Sequence, residues 1–502
     1  MPTASLPDTC GTLSGDFCFP VPYNSIRTTR REALVQETQA GDISCRFRRR
    51  YGTLSLHPPG TAIFLAASAA GAEHWERQGT FILSAAEFLG TVVEKTNPGH
   101  PAASRRILRT GWEVQDYLFQ HHPHPESFPA DQHLAKFMMD AMLQPLKDPD
   151  HSCIVSIFTP CEMVQEAGLH PYNVEGFSCY LSASFAGGIC TRKAERDGIS
   201  DTLCSYHKTF VGAAMNGLLP KPRCILYTSL ACDANLLTFP RLAAYYQVPS
   251  FCIDVPTDVS EDAVAYVRDE LVKARQFLCE TTGRPIEEDA LKARVKRSRE
   301  SLLAYEQVQR DRADRFVPAD LVTPLYSAMT ANILLGTPEE ARYVRMLQED
   351  LRSAPAKRGK HIYWMHTIPF WSDAVKKYFL FQDSAQIVAC ELAQACSPDF
   401  DTGDPMLGMA QRLVRNAING PAERRIANGI RHARDARADG VIWFNHWGCK
   451  HTLGVSRLAK QAFEDAGFPT LLLDGDGCDR AHGGEGQTST RIGAFLEMLR
   501  ND

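Results

Sequence analysis

Short apolar runs alternate with longer stretches of helical, amphipathic composition from about residue 151 onwards. The runs at 153–158, 224–229, 250–255, 361–365, 441–444 and 470–473 are four to six residues long, the length of buried strands in a parallel sheet. Helical segments are predicted at 162–168, 404–416, 424–437, 458–466 and 490–499, and Gly467-Phe468-Pro469 stops one helix and introduces the next strand. Strands that alternate with helices predict βαβ units. Residues 260–315 carry no strand signal and read as one or two long, charged helices joining two lobes. Before residue 151 only 27–37 and 85–95 look helical, and His121-His122-Pro123-His124-Pro125 reads as a solvated loop rather than a metal site. The expected fold is α/β. It has two doubly wound parallel-sheet lobes, at 151–330 with the helical connector and at 331–502, and a mostly helical N-terminal extension at 1–150.

A chain of 502 residues is too long for one hydrophobic core. The formal net charge of -5 provides no basic field for nucleic acid, and clusters such as Arg48-Arg49-Arg50 read as solvated surface. The longest apolar stretch, 61–72, is Ala-rich and too short to span a bilayer. The opening Met1-Pro2-Thr3-Ala4-Ser5 lacks the regions of a secretory signal. A cytoplasmic protein that binds neither nucleic acid nor membrane is expected. In that compartment sixteen cysteines do not form a disulfide framework; most are small core residues, and a few need another explanation.

In open α/β sheets ligands gather beyond the carboxyl ends of the strands. Cys161, Cys232, Cys449 and Cys478 each follow a predicted strand by a few residues, so both lobes direct thiols at a crevice. The stretch 439–451 carries the strongest signal, because a buried strand runs into His446, Cys449 and His451 on one loop. That loop suits zinc chelation, but no Cys-x-x-Cys pair is present, and two of the three are equally suited to be outer donors. Loops after parallel strands also supply the N–H donors that stabilise iron-sulfur clusters, so spacing leaves an iron-sulfur site open without establishing it. Glu162, Ser229, His446 and His451 are the polar groups expected nearest as donors or acid-base helpers, with satisfaction of loop backbone as the plainer alternative for each. No Gly-x-x-x-x-Gly-Lys loop or Gly-x-Ser-x-Gly elbow occurs, no Gly-x-Gly-x-x-Gly follows a strand, and the glycine-rich 474–488 reads as a long turn.

Three blocks resemble the 2-hydroxyacyl-CoA dehydratase family, which includes benzoyl-CoA reductase subunits and double-cubane-cluster reductases. The first is Pro160-Cys161-Glu162-Met163-Val164 with Ala167-Gly168 and Pro171. The second is Cys204-Ser205-Tyr206, Cys232-Asp233 and Asp254-Val255-Pro256. The third is Asp439-Gly440-Val441, Cys449, Gly467-Phe468-Pro469, Asp474 to Asp476, Gly486-Gln487-Thr488 and Ala494-Phe495-Leu496-Glu497. The resemblance spans roughly 150–500 and implies that Cys204, Cys232 and Cys449 bind one 4Fe-4S cluster with an open iron position; Cys204 rests on the resemblance alone. It further implies ketyl-radical elimination of water from a (R)-2-hydroxyacyl-CoA, an ATP-dependent iron-sulfur activator protein, and a homo- or heterodimer with a related subunit. The alternatives are a double-cubane or benzoyl-CoA reductase-type enzyme, a non-catalytic partner subunit, and a zinc-holding scaffold. The loop Gly448-Cys449-Lys450-His451 departs from that expected of many dehydratase subunits, which keeps the reductase alternative open.

Overall fold

Two parallel four-stranded sheets organise the chain, and they share one strand order. In the first, β1 (Ser152–Val155), β2 (His170–Asn173), β3 (Cys224–Thr228) and β4 (Ser250–Ile253) lie in the order β2-β1-β3-β4. In the second, β5 (Lys360–Met365), β6 (Ala385–Cys390), β7 (Gly440–His446) and β8 (Thr470–Gly475) lie in the order β6-β5-β7-β8. The α/β class with two parallel-sheet lobes is therefore correct. In each sheet the connections diverge from the central pair, β1/β3 and β5/β7, which makes a crevice outside the carboxyl ends of those strands. The computed structural model describes residues 75–317 and 320–499; the helix expected at 27–37 and the Ala-rich run at 61–72 lie outside the described residues.

Six predicted strands are found at nearly their predicted positions: β1, β3, β5 and β7 are apolar runs buried almost throughout, and β4 and β8, at sheet edges, are only partly buried. Ile154 is opposite Ile225, Trp364 opposite Ile442 and Ile442 opposite Leu471, and the whole of β7 is buried. Two further strands are not among those predicted. β2 contains Pro171, which cannot donate to a ladder but is tolerated because β2 is an edge strand. β6 is wholly buried and holds the apolar run Ile387-Val388-Ala389-Cys390, so its signal is present in the sequence.

The long connector is two helices, Glu261–Thr282 and Glu288–Arg312. Ser260 caps the first by accepting from Ala263 N, and Gly283, at φ 69°, ends it in the left-handed conformation. Before the first sheet lie the helices Trp75–Thr96, Pro101–His121 and Pro129–Lys147, the last two with proline in the first turn. Trp112 of the second is fully buried and its Nε1 donates to Ser184 Oγ at 2.7 Å, so this extension is built into the first lobe. The core around the first sheet also takes in Tyr343, Leu347 and Leu351 of the helix Pro338–Ser353, and Met409 and Leu413 further on. The second sheet has separate cores on its two faces, one around Trp364 and Phe444, the other around Tyr363 and Trp443. Among the described residues no helix is long and apolar enough to cross a membrane.

The helices Gly187–Arg196 and Ser205–Met215 approach so closely that a Cβ at Gly212 would run into the carbonyl group of Cys190. Glycine to alanine inside a helix ordinarily stabilises by about 1 kcal/mol. Here the sign is expected to reverse: Gly212→Ala should lower stability by about 2 kcal/mol or more, measured by urea unfolding, because the obstacle is backbone.

Candidate functional site

The loops leaving β3, β5 and β7, together with the start of the helix Ser205–Met215, surround a cavity of about 300 Å³. Cys204, Cys232 and Cys449 all line it. Cys204 stands at the N-cap of that helix, Cys232 four residues beyond β3, and Cys449 three residues beyond β7. The two lobes meet here at backbone distance. Gly448 has φ 79°, and a Cβ on it would lie 2.6 Å from Cys204 N and 2.8 Å from Cys204 Cα. Ser205 Oγ donates to Asp476 Oδ1 at 2.6 Å and ties the same turn to the loop after β8. Ala231 and His366 are also held at positive φ, 67° and 77°, which for residues with a Cβ costs roughly 1 to 3 kcal/mol each.

Each of the three thiols has an imidazole beside it. Cys204 Sγ is 3.2 Å from His446 Nε2, Cys232 Sγ is 3.5 Å from His207 Nε2, and Cys449 Sγ is 3.7 Å from His366 Nε2. The surroundings fix two of the tautomers. Gly477 N donates to His446 Nδ1 at 3.0 Å, so the proton of His446 is on Nε2 and is donated to Cys204. Thr238 Oγ1 donates to Ala234 O at 2.7 Å and must therefore accept from His207 Nδ1 at 2.8 Å, which leaves His207 Nε2 bare to accept from the Cys232 thiol.

Burial pushes the Cys204 thiol well up from its ordinary value, and Cys449 and Cys232 add to the effect. Burial likewise raises Cys232 to about 12, with contributions from Cys449 and Glu175. Cys204 and Cys232 are therefore held as neutral thiols, and a bound cation would take the place of their protons. Burial lowers His207 to about 3 and lowers His366, His446 and His451 as well, so the imidazoles are neutral. Among the described residues no three His, Cys, Asp or Glu side chains converge closely enough for a single metal ion. The loop with His446, Cys449 and His451 therefore does not form a chelate, because His446 is turned to Cys204 and Gly477 instead.

A family model described as 2-hydroxyglutaryl-CoA dehydratase, D-component, matches residues 156–499. The chain belongs to that family. It is 24% identical over 362 residues to the (R)-phenyllactyl-CoA dehydratase alpha subunit of Clostridium sporogenes, covering 68% of this chain and 87% of the relative. It is 22% identical over 365 residues to the beta subunit of the same enzyme, covering 68% and 90%. Similarity to the (R)-2-hydroxyglutaryl-CoA dehydratase alpha subunit of Acidaminococcus fermentans is 24% over 302 residues, or 56% of this chain and 61% of the relative.

In this D-component family member, His446 and His451 line the cavity, whereas Glu162 and Ser229 are not among its lining residues. Glu162 is wholly buried against Arg412 and Ser298, and Ser229 Oγ donates to Asp254 Oδ1 at 2.9 Å and accepts from Val255 N at 2.8 Å. Cys161 is buried outside the lining, and Cys478 packs behind Cys204 and Tyr206. Sequence reasoning missed His207, His366, Glu175 and the ion pair of Arg425 with Glu391. Arg425 binds both carboxylate oxygens of Glu391, and its Nη1 donates to His451 O at 2.6 Å. Glu391 Oε2 accepts from His366 N at 3.1 Å, so one buried pair holds the loops on both sides of Cys449. His366 had a signal, since it directly follows a predicted strand. The Arg425 pairing had none, because its acid is 34 residues away.

Proposed function

We propose that the chain is an iron-sulfur subunit of a 2-hydroxyacyl-CoA dehydratase that acts in the cytoplasm with a related second subunit and an ATP-dependent activator protein. The observation that carries the reading is that three thiols, far apart in sequence and drawn from both lobes, line one apolar cavity in a chain of this family. The set suits a 4Fe-4S cluster better than an ion: it offers three soft donors, and among the described residues no His, Cys, Asp or Glu trio is tight enough for one metal ion. Relatives named as alpha and beta subunits support a heteromeric partner.

When bound, the cluster would supply one low-potential electron and a Lewis-acidic iron position. That electron would make the thioester a ketyl, from which the C2 hydroxyl and a C3 proton would be lost; with the electron returned, the net change would be loss of water. Within the protein, the His446 Nε2–H is directed at the Cys204 sulfur. The Arg425–Glu391 pair fixes the backbone of His366 and His451, and the walls of the cavity are mostly apolar. His451, which lines the same cavity, is the imidazole we assign to proton exchange with substrate.

Anaerobic iron and sulfide analysis with an absorption spectrum tests the reading. Cys204→Ala, Cys232→Ala and Cys449→Ala are each expected to lose most of the iron and the brown colour, and Cys161→Ala to keep both. A colourless, zinc-loaded wild type would sink the proposal, and full iron in any one of the three variants would remove that cysteine from the ligand set.

A further inference from the structure

We infer that the cavity beside the three thiols is an acyl pocket for 2-hydroxyacyl groups with an uncharged, bulky apolar side chain, and that the helix Pro101–His121 supplies a specificity-determining wall of it. The inference rests on the acyl-CoA reading above and names its substrate class. Phe119, Tyr180, Val322, Leu325, Tyr326 and Phe370 line the chamber away from the cysteines, and the rings of Tyr180 and Tyr326 stack at 6.0 Å and 19°. At about 300 Å³ the space is at the lower end of small-molecule pockets. It has room for an acyl group but not for the nucleotide tail of coenzyme A.

The charges decide what that acyl group can be. Among the described lining residues the only Lys or Arg is Arg425, and both of its outer nitrogens and its Nε are already taken by Glu391 and the carbonyl of His451. An acyl chain ending in carboxylate would find no free cation. It would instead share the chamber with the acidic Glu175, which is among its lining residues and accepts from Asn173 Nδ2 at 2.7 Å. An unpaired carboxylate in such a site costs far more than a phenyl or branched alkyl group gains. Phe119 and Gln115 belong to the helix Pro101–His121, which lies before the family match at 156–499, so this wall is a feature the family pattern does not dictate.

Calorimetric titration of the anaerobically purified full chain with (R)-3-phenyllactyl-CoA, (R)-2-hydroxyglutaryl-CoA and free coenzyme A tests this. Phenyllactyl-CoA is expected to bind at least tenfold more tightly than hydroxyglutaryl-CoA. Phe119→Ala should weaken phenyllactyl-CoA about tenfold and leave free coenzyme A unchanged; Glu175→Gln should narrow the preference several-fold. Hydroxyglutaryl-CoA binding as tightly as phenyllactyl-CoA in the wild type would overturn the inference and leave the dehydratase reading intact. Should neither thioester bind better than free coenzyme A, both would fall. Because the wild-type comparison is decisive by itself, a variant that fails to fold does not protect the idea.

Discussion

Gly448→Ala is expected to separate the Cys449 loop from Cys204 and to cost the protein both stability and iron. Position 448 is at φ 79°, where a residue with a Cβ pays roughly 1 to 2 kcal/mol. The added carbon would also sit 2.8 Å from the carbonyl carbon of Leu203 and 2.6 Å from the amide nitrogen of Cys204. These are backbone atoms, so no side chain can rotate aside, and relief requires the two lobes to move apart where their thiols approach. About 3 kcal/mol in total is expected, with iron falling to a small fraction of wild type. Gly467→Ala is the matching control. Its φ is 90°, yet nothing lies within 4 Å of the Cβ it would gain, so it should show the backbone penalty alone and keep its iron. Thermal unfolding and anaerobic iron analysis of the two variants separate strain from contact. Wild-type iron in Gly448→Ala would mean that the two loops are not held against each other.

The contrast between these glycines indicates how much of the site is legible from the chain. β7 announces itself through Val441 to Phe444, and the rule that ligands gather past strand ends leads to Cys161, Cys232, Cys449 and Cys478 alike, of which only Cys232 and Cys449 line the cavity. Cys204 escapes that rule because it caps a helix rather than following a strand. The edge strand β2 escapes for a different reason, because pairing on one side only tolerates Pro171, whereas β6 carries the legible apolar run Ile387-Val388-Ala389-Cys390. The imidazoles reach the thiols by tertiary packing alone. His446 lies 242 residues from Cys204 and His366 lies 83 residues from Cys449, and no spacing encodes such pairs. Glu162 is the reverse case. It sits just beyond a strand, as an active-site acid would, but its partner is 250 residues away.

That partner makes Glu162 a structural residue with a large expected effect. Its carboxylate has no exposure, Arg412 is nearly as buried, and the guanidinium binds it through two nitrogens, one at 2.8 Å, while Ser298 Oγ donates at 2.8 Å. Burial alone would raise the Glu162 carboxyl; Arg412 and Ser298 outweigh it and hold the group below its ordinary value. Arg412→Met therefore strands a buried charge and is expected to cost about 3 to 5 kcal/mol. Glu162→Gln with Arg412→Met removes both charges together and should recover most of that loss, retaining iron, since neither side chain lines the cavity. The pH dependence follows from the lowered value. The stabilisation from the pair is complete above the ordinary glutamate range and is lost as pH falls through the depressed folded value, so wild type and double variant should converge in acid. Urea unfolding of the three proteins from pH 7 downwards measures this. A double variant no more stable than Arg412→Met would show that the stranded charge is not the source of the loss, and one that keeps its fold but loses its iron would show that Glu162 serves the iron site directly rather than through the packing of the first lobe.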